Sequence, residues 1–521
     1  MEAEAAASAW PRLATAAAEL LEAIEADRGR LLELDVALRQ RLLSAAGRVA
    51  RPTFEDRKRL AKARRRKGRD KRRAEDEAKL EQTGIRLARA EAVFQTPFRP
   101  APKALPLYRG SSEPAEQVED ARNCYVCKAD YHRLHFFYDQ LCPSCAERNW
   151  EKRFQTADLA GRTALVTGAR VKIGFQAAIK LLRAGSRVIV LTRFPRDAAR
   201  RYASEPDFED WRHRLAIYGI DLRHTPSVET LCRHLLAEEQ RLDFLINNAC
   251  QTVRRPAGFY QHLLDAEAGP VAQLPAAERE LVADYEAFRG GRLRELLPDD
   301  GSETAALRAA PSSVLEQATG LVHAAALSQL PLTEEDLERD PSVFPDGRLD
   351  ADLQQVDLRD KNSWRLSLAE VPAVELLEVH LVNAVAPFIL NARLKPLMTR
   401  IPSRDKHIVN VSAMEGQFYR AFKTDKHPHT NMAKAALNML TRTSALDYVK
   451  SGIHMNAVDT GWVTDEDPAA IAERKREEHR FHPPLDIVDG AARILDPIFH
   501  GLNTGEHAWG LFLKDYAVAD W

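Results

Sequence analysis

Over the first 95 residues the apolar positions fall at helical intervals. Leu20, Ile24, Leu31, Leu34, Leu38 and Leu42 recur at three-, four- or seven-residue steps, the pattern of an amphipathic helix. Pro52 interrupts it, and a second, highly charged helix is expected from Glu55 to about Glu91. Residues 96–120 (TPFRPAPKALPLYRGSSEP at their core) read as a Pro-rich linker. After Leu159 the texture changes. Short apolar, β-branched runs (TALVTG, RVIVLT, RLDFLINNA, HIVNVSA and GLFLKDY) alternate with helical stretches. Such alternation predicts a parallel sheet covered by helices on both faces. Between the third and fourth runs lies a stretch from 252 to about 370 with acidic helical pieces (AAERELVADYEAF, LTEEDLERD), read as an insertion. The expected organisation is a charged α-helical region (1–95), the linker, a cysteine module (121–152) and an α/β domain (155–521).

Composition narrows the classes. The chain has 521 residues, 45% hydrophobic and 29% charged, enough apolar material to exclude wholesale disorder. A net charge of −1 excludes a global electrostatic pull toward nucleic acid, but it averages over unlike segments. Between Arg57 and Arg73, twelve of seventeen positions are Lys or Arg. That run suits a macromolecular or acidic partner, or a solvated helix face paired with Glu75, Asp76, Glu77 and Glu81. No apolar run approaches the roughly 18 residues needed to cross a bilayer, and the opening MEAEAAASAW lacks the pattern of a secretory leader. A cytoplasmic chain with no membrane contact is expected.

Four of the six cysteines form one cluster, Cys124-x2-Cys127 and Cys142-x2-Cys145. Two such knuckles can place four thiolates around one cation, and zinc suits four soft ligands in a closed, structural site. His132 and His135 lie in the intervening loop and are read as polar loop residues. Cys232 and Cys250, in apolar contexts, are read as buried thiols.

In the α/β domain, TALVTG ends at Gly168, and Ala169-Arg170-Val171-Lys172-Ile173-Gly174 leads into a helix. Glycines at such a turn let backbone amides approach a pyrophosphate at the helix N-terminus. The next strand ends at Arg193, where a cation accommodates a ribose 2′-phosphate. Asp221 and the turn Asn247-Asn248-Ala249 follow at the ends of later strands.

This succession, with Asn383, VNVSA, Lys434 and VDTGWV, resembles the short-chain dehydrogenase/reductase family over about residues 155–521. The resemblance implies a doubly wound parallel Rossmann sheet that binds NAD(P), with an adenine contact at Asp221 and a supporting turn at Asn248 and Ala249. It also implies catalytic roles for Asn383 and Lys434 and a place beside the nicotinamide for Gly461. Three positions depart from the family. Thr430 stands where its tyrosine acid would be, and an aliphatic hydroxyl is a far weaker acid than a phenol. Ala413 takes the place of the catalytic serine, with Ser412 one residue early and therefore expected on the opposite strand face. Lys172 replaces the middle glycine of the loop. Tyr419, His429 and His427 are the candidates to restore proton transfer. Lys172 and Arg193 favour NADP(H) over NAD, Arg170 and Ile173 of the loop and Lys434 complete the expected cofactor-binding set, and Arg254-Arg255 imply either an anionic ligand or partners within the insertion. Two functions are expected: an NADP-dependent oxidoreductase with a rearranged site, or a non-catalytic NADP(H)-binding scaffold that contacts a partner through its zinc module and basic helices. Trp462 is a candidate for stacking on the substrate, which the sequence does not name. A homo-oligomer could form through the sheet helices or the N-terminal helices.

Overall fold

A computed structural model describes residues 2–97, 116–296, 320–337, 340–419 and 423–521. The chain divides into two units, Met1–Glu77 and Ala78–Trp521. Residues 78–95, read above with the N-terminal helices, therefore belong to the second unit. Most of the Pro-rich linker lies outside the described residues.

The first unit is helical. The expected leucine-patterned helix is broken into Glu2–Ala26, a 3-10 turn at Arg28–Glu33 and Val36–Ala50. Asp27 and Asp35 cause the breaks: their carboxylates accept from Gly29 N (2.8 Å) and Leu38 N (2.9 Å) and so start new helical segments. The basic run lies on the helix Phe54–Glu81, with its side chains exposed. Arg66–Asp70 and Lys71–Glu75 are spaced i,i+4 along it.

In the second unit that charged helix ends at Glu81 rather than running to Glu91. Gly84 N donates to the Phe136 carbonyl (2.9 Å), and a Cβ on Gly84 would lie 2.6 Å from the Phe137 ring. A new helix, Gly84–Ala90, starts there because the chain turns to pack on the cysteine module. That module consists of the antiparallel pair β1 (Gln117–Asn123) and β2 (Asp130–Arg133) and the helix Pro143–Phe154.

The main sheet comprises β3 (Thr163–Thr167), β4 (Arg187–Thr192), β5 (Leu215–Gly219), β6 (Phe244–Asn247), β7 (Lys406–Ser412), β8 (Ile453–Asp459), β9 (Phe512–Lys514) and β10 (Ala517–Ala519). Their order is β10-β9-β8-β7-β6-β3-β4-β5, parallel except for β10. This is the doubly wound parallel Rossmann arrangement that was expected, and chain order reverses between β3 and β6, where such sheets open a ligand crevice. Strands β3 to β6 are largely apolar because both faces are covered, while β7 and β8 also bury polar residues such as Asn410 and Asn456. Ala164, Val166, Val188 and Val190 face the helices Lys172–Arg183 and Ile487–Thr504. Leu165, Ile189 and Leu191 face Thr225–Glu238 and Ala386–Thr399.

Contrary to the expectation that nothing apolar is long enough to span a bilayer, the helical stretch Ala373–Thr399 meets that test of length and composition. Here Leu390, Leu394, Leu397 and Met398 are buried against the sheet. The insertion between β6 and β7 contributes the helices Ala257–Ala268, Ala276–Leu281 and Ala283–Leu296, with residues 297–319 outside the described set.

Candidate active site

The turn after β3 is closed by backbone geometry. Gly168 adopts φ +65°, and a Cβ there would lie 2.8 Å from Ala249 Cα. Asn248 Nδ2 donates to the carbonyls of Thr167 (3.0 Å) and Gly168 (3.1 Å), while Ala249 N donates to Thr167 Oγ1 (2.8 Å). The turn after β6 is thus tied to the turn after β3 across the switch point. Lys172 holds φ +55°, in the left-handed region that costs a non-glycine residue about 1–2 kcal/mol. The lysine adopts the backbone for which the family uses glycine.

Gly168, Arg170, Lys172, Ile173, Gly174, Arg193, Asp221, Asn248 and Ala249, nine of the expected cofactor residues, line one cavity of about 350 Å³. Its charged groups are interlocked. Arg193 donates to the Tyr260 hydroxyl (2.8 Å) and lies over that ring, which stacks on Phe194. Burial raises the Tyr260 pKa, but Arg193, Arg170 and Arg255 outweigh it and pull the phenol below its ordinary value. Asp221 is buried and grips Arg223 through both oxygens; Arg223 also reaches Glu378 at 2.5 Å. Burial works to raise the Asp221 pKa, and the hydrogen bonds and charge of Arg223 outweigh it, holding the acid below the usual carboxylate value. Arg170 lines the cavity, yet its guanidinium is engaged by Asp197 (2.5 Å) and Gln354 (3.1 Å). Arg254 pairs with Asp336 and Glu378, and Arg255 with Asp357, so partners from the insertion meet both arginines. Sequence reasoning missed Tyr260 of the insertion, Arg223 just after Asp221 and Glu378 of the helix Ala373–His380, because nothing in the pattern of the chain marks which residues of separate elements meet at the crevice.

None of the expected catalytic residues is among the lining residues of this cavity, and neither is Lys434 in its expected cofactor-binding role. Lys434, on the helix Pro428–Lys450, donates to the Val411 carbonyl (2.7 Å). Asn383 sits in a single π-helical turn, Leu381–Val385, a type of irregularity often found at functional sites. Its carboxamide binds both the N–H (2.8 Å) and the C=O (3.2 Å) of Gln251, another residue of the cavity wall. Ser412 donates to Asn438 Oδ1 at 2.5 Å, so its hydroxyl is engaged by the neighbouring helix. Thr430 is buried and its Oγ1 has no hydrogen-bond partner among the described residues. Tyr419 is 95% exposed. His429 faces Glu375 (3.2 Å), and His427 stacks on Trp364 of the insertion with ring centroids 3.8 Å apart; burial lowers the His427 pKa to about 4.

Family models match two stretches of the chain: short chain dehydrogenase over residues 162–266, and enoyl-(acyl carrier protein) reductase over 347–485. The gap between them falls inside the insertion. The dehydrogenase/reductase SDR family member 13 of Bos taurus is 33% identical over 148 residues, 26% of this chain and 39% of that protein.

The chain belongs to the short-chain dehydrogenase/reductase family.

An uncharacterized protein of Acanthamoeba polyphaga mimivirus is 31% identical over 399 residues, 74% of this chain and 73% of that one. Among solved structures, the NADPH-bound carbonyl reductase from chicken fatty liver aligns with a TM-score of 0.41 at 16% identity, over 70% of this chain and 100% of that one.

This short-chain dehydrogenase/reductase carries its four-cysteine cluster in the same unit as the sheet. The sulfurs of Cys124, Cys127, Cys142 and Cys145 lie within 4.8 Å of one another. Four thiolates around one zinc at about 2.3 Å each would stand about 3.8 Å apart, and Cys127 and Cys142 are 3.6 Å apart. The loop histidines are engaged elsewhere. His135 Nδ1 accepts from Phe137 N and Tyr138 N, with its pKa lowered to about 4 by burial; His132 Nδ1 pairs with the Val118 carbonyl. Cys232 is buried, as expected. Cys250 is exposed, a correction to its apolar reading, because the turn after β6 lifts it out of the core.

The loop after β8 is the other element that sequence reasoning undervalued. Asp459 Oδ1 accepts from Gly461 N (2.7 Å), and its Oδ2 accepts from Met414 N (2.7 Å), strapping the loops after β8 and β7 together. Gly461, expected in the cofactor set, does not line the cavity. A Cβ on it would lie 2.5 Å from Leu485, on the side of the helix Ile487–Thr504. Trp462 is tilted against Phe481, with ring centroids 4.5 Å apart. Thr464 and Glu466, a few residues on, line the cavity instead.

Proposed function

We propose that this chain is an NADP(H)-dependent oxidoreductase that interconverts an alcohol and a carbonyl group. The observation that carries the reading is the left-handed Lys172. The turn keeps the backbone a dinucleotide loop requires, and the substitution adds a cation where a glycine would add none. When bound, NADP(H) accepts or supplies the hydride. The chain supplies the rest: Gly168, Gly174 and the N-terminal turn of Lys172–Arg183 for the pyrophosphate, and Lys172 and Arg193 for the additional phosphate. Asn383 holds Gln251 in the wall, and Lys434 lies four residues, about one helical turn, after the vacant tyrosine position. Proton transfer falls to a group other than residue 430.

A second reading, a non-catalytic NADP(H)-binding scaffold, draws on a specific observation. Ser412 is spent on Asn438, Thr430 is an aliphatic hydroxyl, and Tyr419 lies in solvent. In either reading Cys124, Cys127, Cys142 and Cys145 hold a structural zinc, and residues 57–73 offer a cationic helix to an acidic or nucleic-acid partner in the cytoplasm. The exposed apolar residues of the N-terminal helices, Leu13 and Val36 among them, suit a homo-oligomer.

The test is a fluorescence titration with NADPH and, separately, NADH, followed by a screen of carbonyl substrates. Preferred NADPH binding that Arg193→Asp abolishes supports the cofactor assignment. Turnover lost in Lys434→Met supports the enzyme; NADPH binding without turnover of any carbonyl class leaves the scaffold. Zinc is tested by metal analysis: Cys142→Ser should lose it, and stoichiometric retention would refute the four-cysteine site.

A further inference from the structure

Tyr125 lies inside the first cysteine knuckle, one residue after Cys124. The knuckle fixes its backbone: Tyr125 N donates to the Gln140 carbonyl (2.9 Å), Cys124 N to Ala129 (2.9 Å) and Lys128 N to Cys124 (3.0 Å). From this anchored position the side chain leaves the module and reaches the loop after β8. Its hydroxyl accepts a hydrogen bond from Trp462 N at 3.0 Å. Two residues beyond Trp462 the chain enters the wall of the dinucleotide cavity at Thr464. The amide before it, Gly461 N, is held by Asp459, and Lys514 lies 5.4 Å from the centre of the Tyr125 ring and 3.9 Å from Asp459.

A second connection runs through the core. Tyr138, Leu141 and Cys142 of the module share one apolar cluster with Val463, Leu485 and Val488, and Ile173 of the glycine-loop helix packs against it. Ile173 also fills the space in front of Gly490, where a Cβ would come within 3.0 Å of its side chain. The four-cysteine site therefore braces both walls of the nucleotide crevice, one through Tyr125 and one through Ile173.

We propose that Tyr125 is a positioning residue through which occupancy of the four-cysteine site sets the affinity for NADP(H). The inference rests on the cofactor reading above. A bound metal holds the knuckle, the knuckle holds Tyr125, and Tyr125 holds the loop 461–464 against the cavity. Without metal the two knuckles are free to separate, the Trp462 amide loses a fixed acceptor, and the loop must be ordered at the expense of cofactor binding. Linkage makes the effect mutual: whatever factor metal adds to NADPH affinity, NADPH adds to metal affinity.

The experiment uses the full chain with its metal content measured. In Tyr125→Phe the metal should stay at wild-type stoichiometry while the Kd for NADPH rises by about fivefold or more, the lower end of common site-to-site couplings. Chelating the metal from the wild type should raise the Kd at least as much, and chelating it from Tyr125→Phe should raise it by a smaller factor, since the Tyr125 link is already broken and only the contact through Ile173 remains. In a chelator competition, saturating NADPH should slow metal loss from the wild type by a larger factor than from the variant. A metal-loaded Tyr125→Phe with wild-type NADPH affinity overturns the coupling alone. A metal-loaded wild type that binds no NADPH overturns the cofactor reading and the coupling with it.

Discussion

The carboxamide of Asn248 stands 2.3 Å from the point a Cβ on Gly174 would occupy, and the Gly168 carbonyl stands 2.4 Å from it. Contacts this close are possible only because Gly174 has no side chain. They let Asn248 bridge the turn after β6 to the turn after β3, which defines the crevice at the switch point. Gly174→Ala should push the two turns apart, lower thermal stability and abolish NADPH binding. An alanine variant that still titrates with wild-type affinity would show that the crevice does not need this contact.

Lys172→Gly should move two properties in opposite directions. Relieving a left-handed lysine should stabilise the fold by about 1 kcal/mol, read as a higher urea midpoint. Removing a cation from the cavity should weaken NADPH more than NADH, narrowing the preference between them. If stability rises and the preference stays the same, Lys172 does not reach the additional phosphate.

Arg153, from the last turn of the helix Pro143–Phe154, fastens the cysteine module to the sheet domain. Its guanidinium donates to both oxygens of Asp486 (2.7 Å each) and to Asp489 (3.0 Å), with all three side chains buried. Arg153→Met should cost about 3–5 kcal/mol, because it leaves two carboxylates buried without their cation. Denaturant unfolding measures the loss. A loss under about 1 kcal/mol would show that the other contacts of Asp486 and Asp489 suffice.

Acid should loosen the insertion. Burial beneath Trp364 lowers the His427 pKa to about 4, with the charge of His429 a smaller cause, so the folded state resists protonation where the unfolded chain, near 6.5, accepts it. The stability that the neutral ring provides is intact above about pH 6.5 and is lost progressively as pH falls toward 4. Its full size is about 3 kcal/mol from 1.36 kcal/mol per pKa unit. Urea midpoints at pH 7.5, 6 and 5 should decline, and His427→Asn, which tolerates the φ of +43°, should flatten the decline. An unchanged slope in that variant would place the acid sensitivity elsewhere, among buried histidines such as His407.

Much of this chain is legible in its sequence because its signals are local. TALVTG and RVIVLT became β3 and β4 because runs apolar on both faces can be satisfied only inside a covered parallel sheet. The paired CxxC spacings brought four sulfurs together, and the glycine, Arg193, Asp221 and Asn248-Ala249 positions met at one cavity, since each sits at the C-terminal end of a strand whose place in the sheet was implied. Helix ends were less legible. The breaks at Asp27 and Asp35 depend on which carboxylate captures which amide, and the end at Glu81 depends on Phe137, more than fifty residues away.

The sequence by itself therefore determined the sheet, the cysteine cluster and the nucleotide-facing turns, where residue type and spacing act through the backbone within a few residues. Tertiary structure alone decided what fills the crevice and what holds it. Tyr260, Arg223 and Glu378 reach it from three separate elements. Arg254 and Arg255 are neutralised by the insertion, and Tyr125 crosses from a cysteine knuckle to the amide of Trp462. These links join residues up to 337 positions apart. They depend on how helices and loops pack once the sheet has formed, and no periodicity or spacing along the chain records that packing.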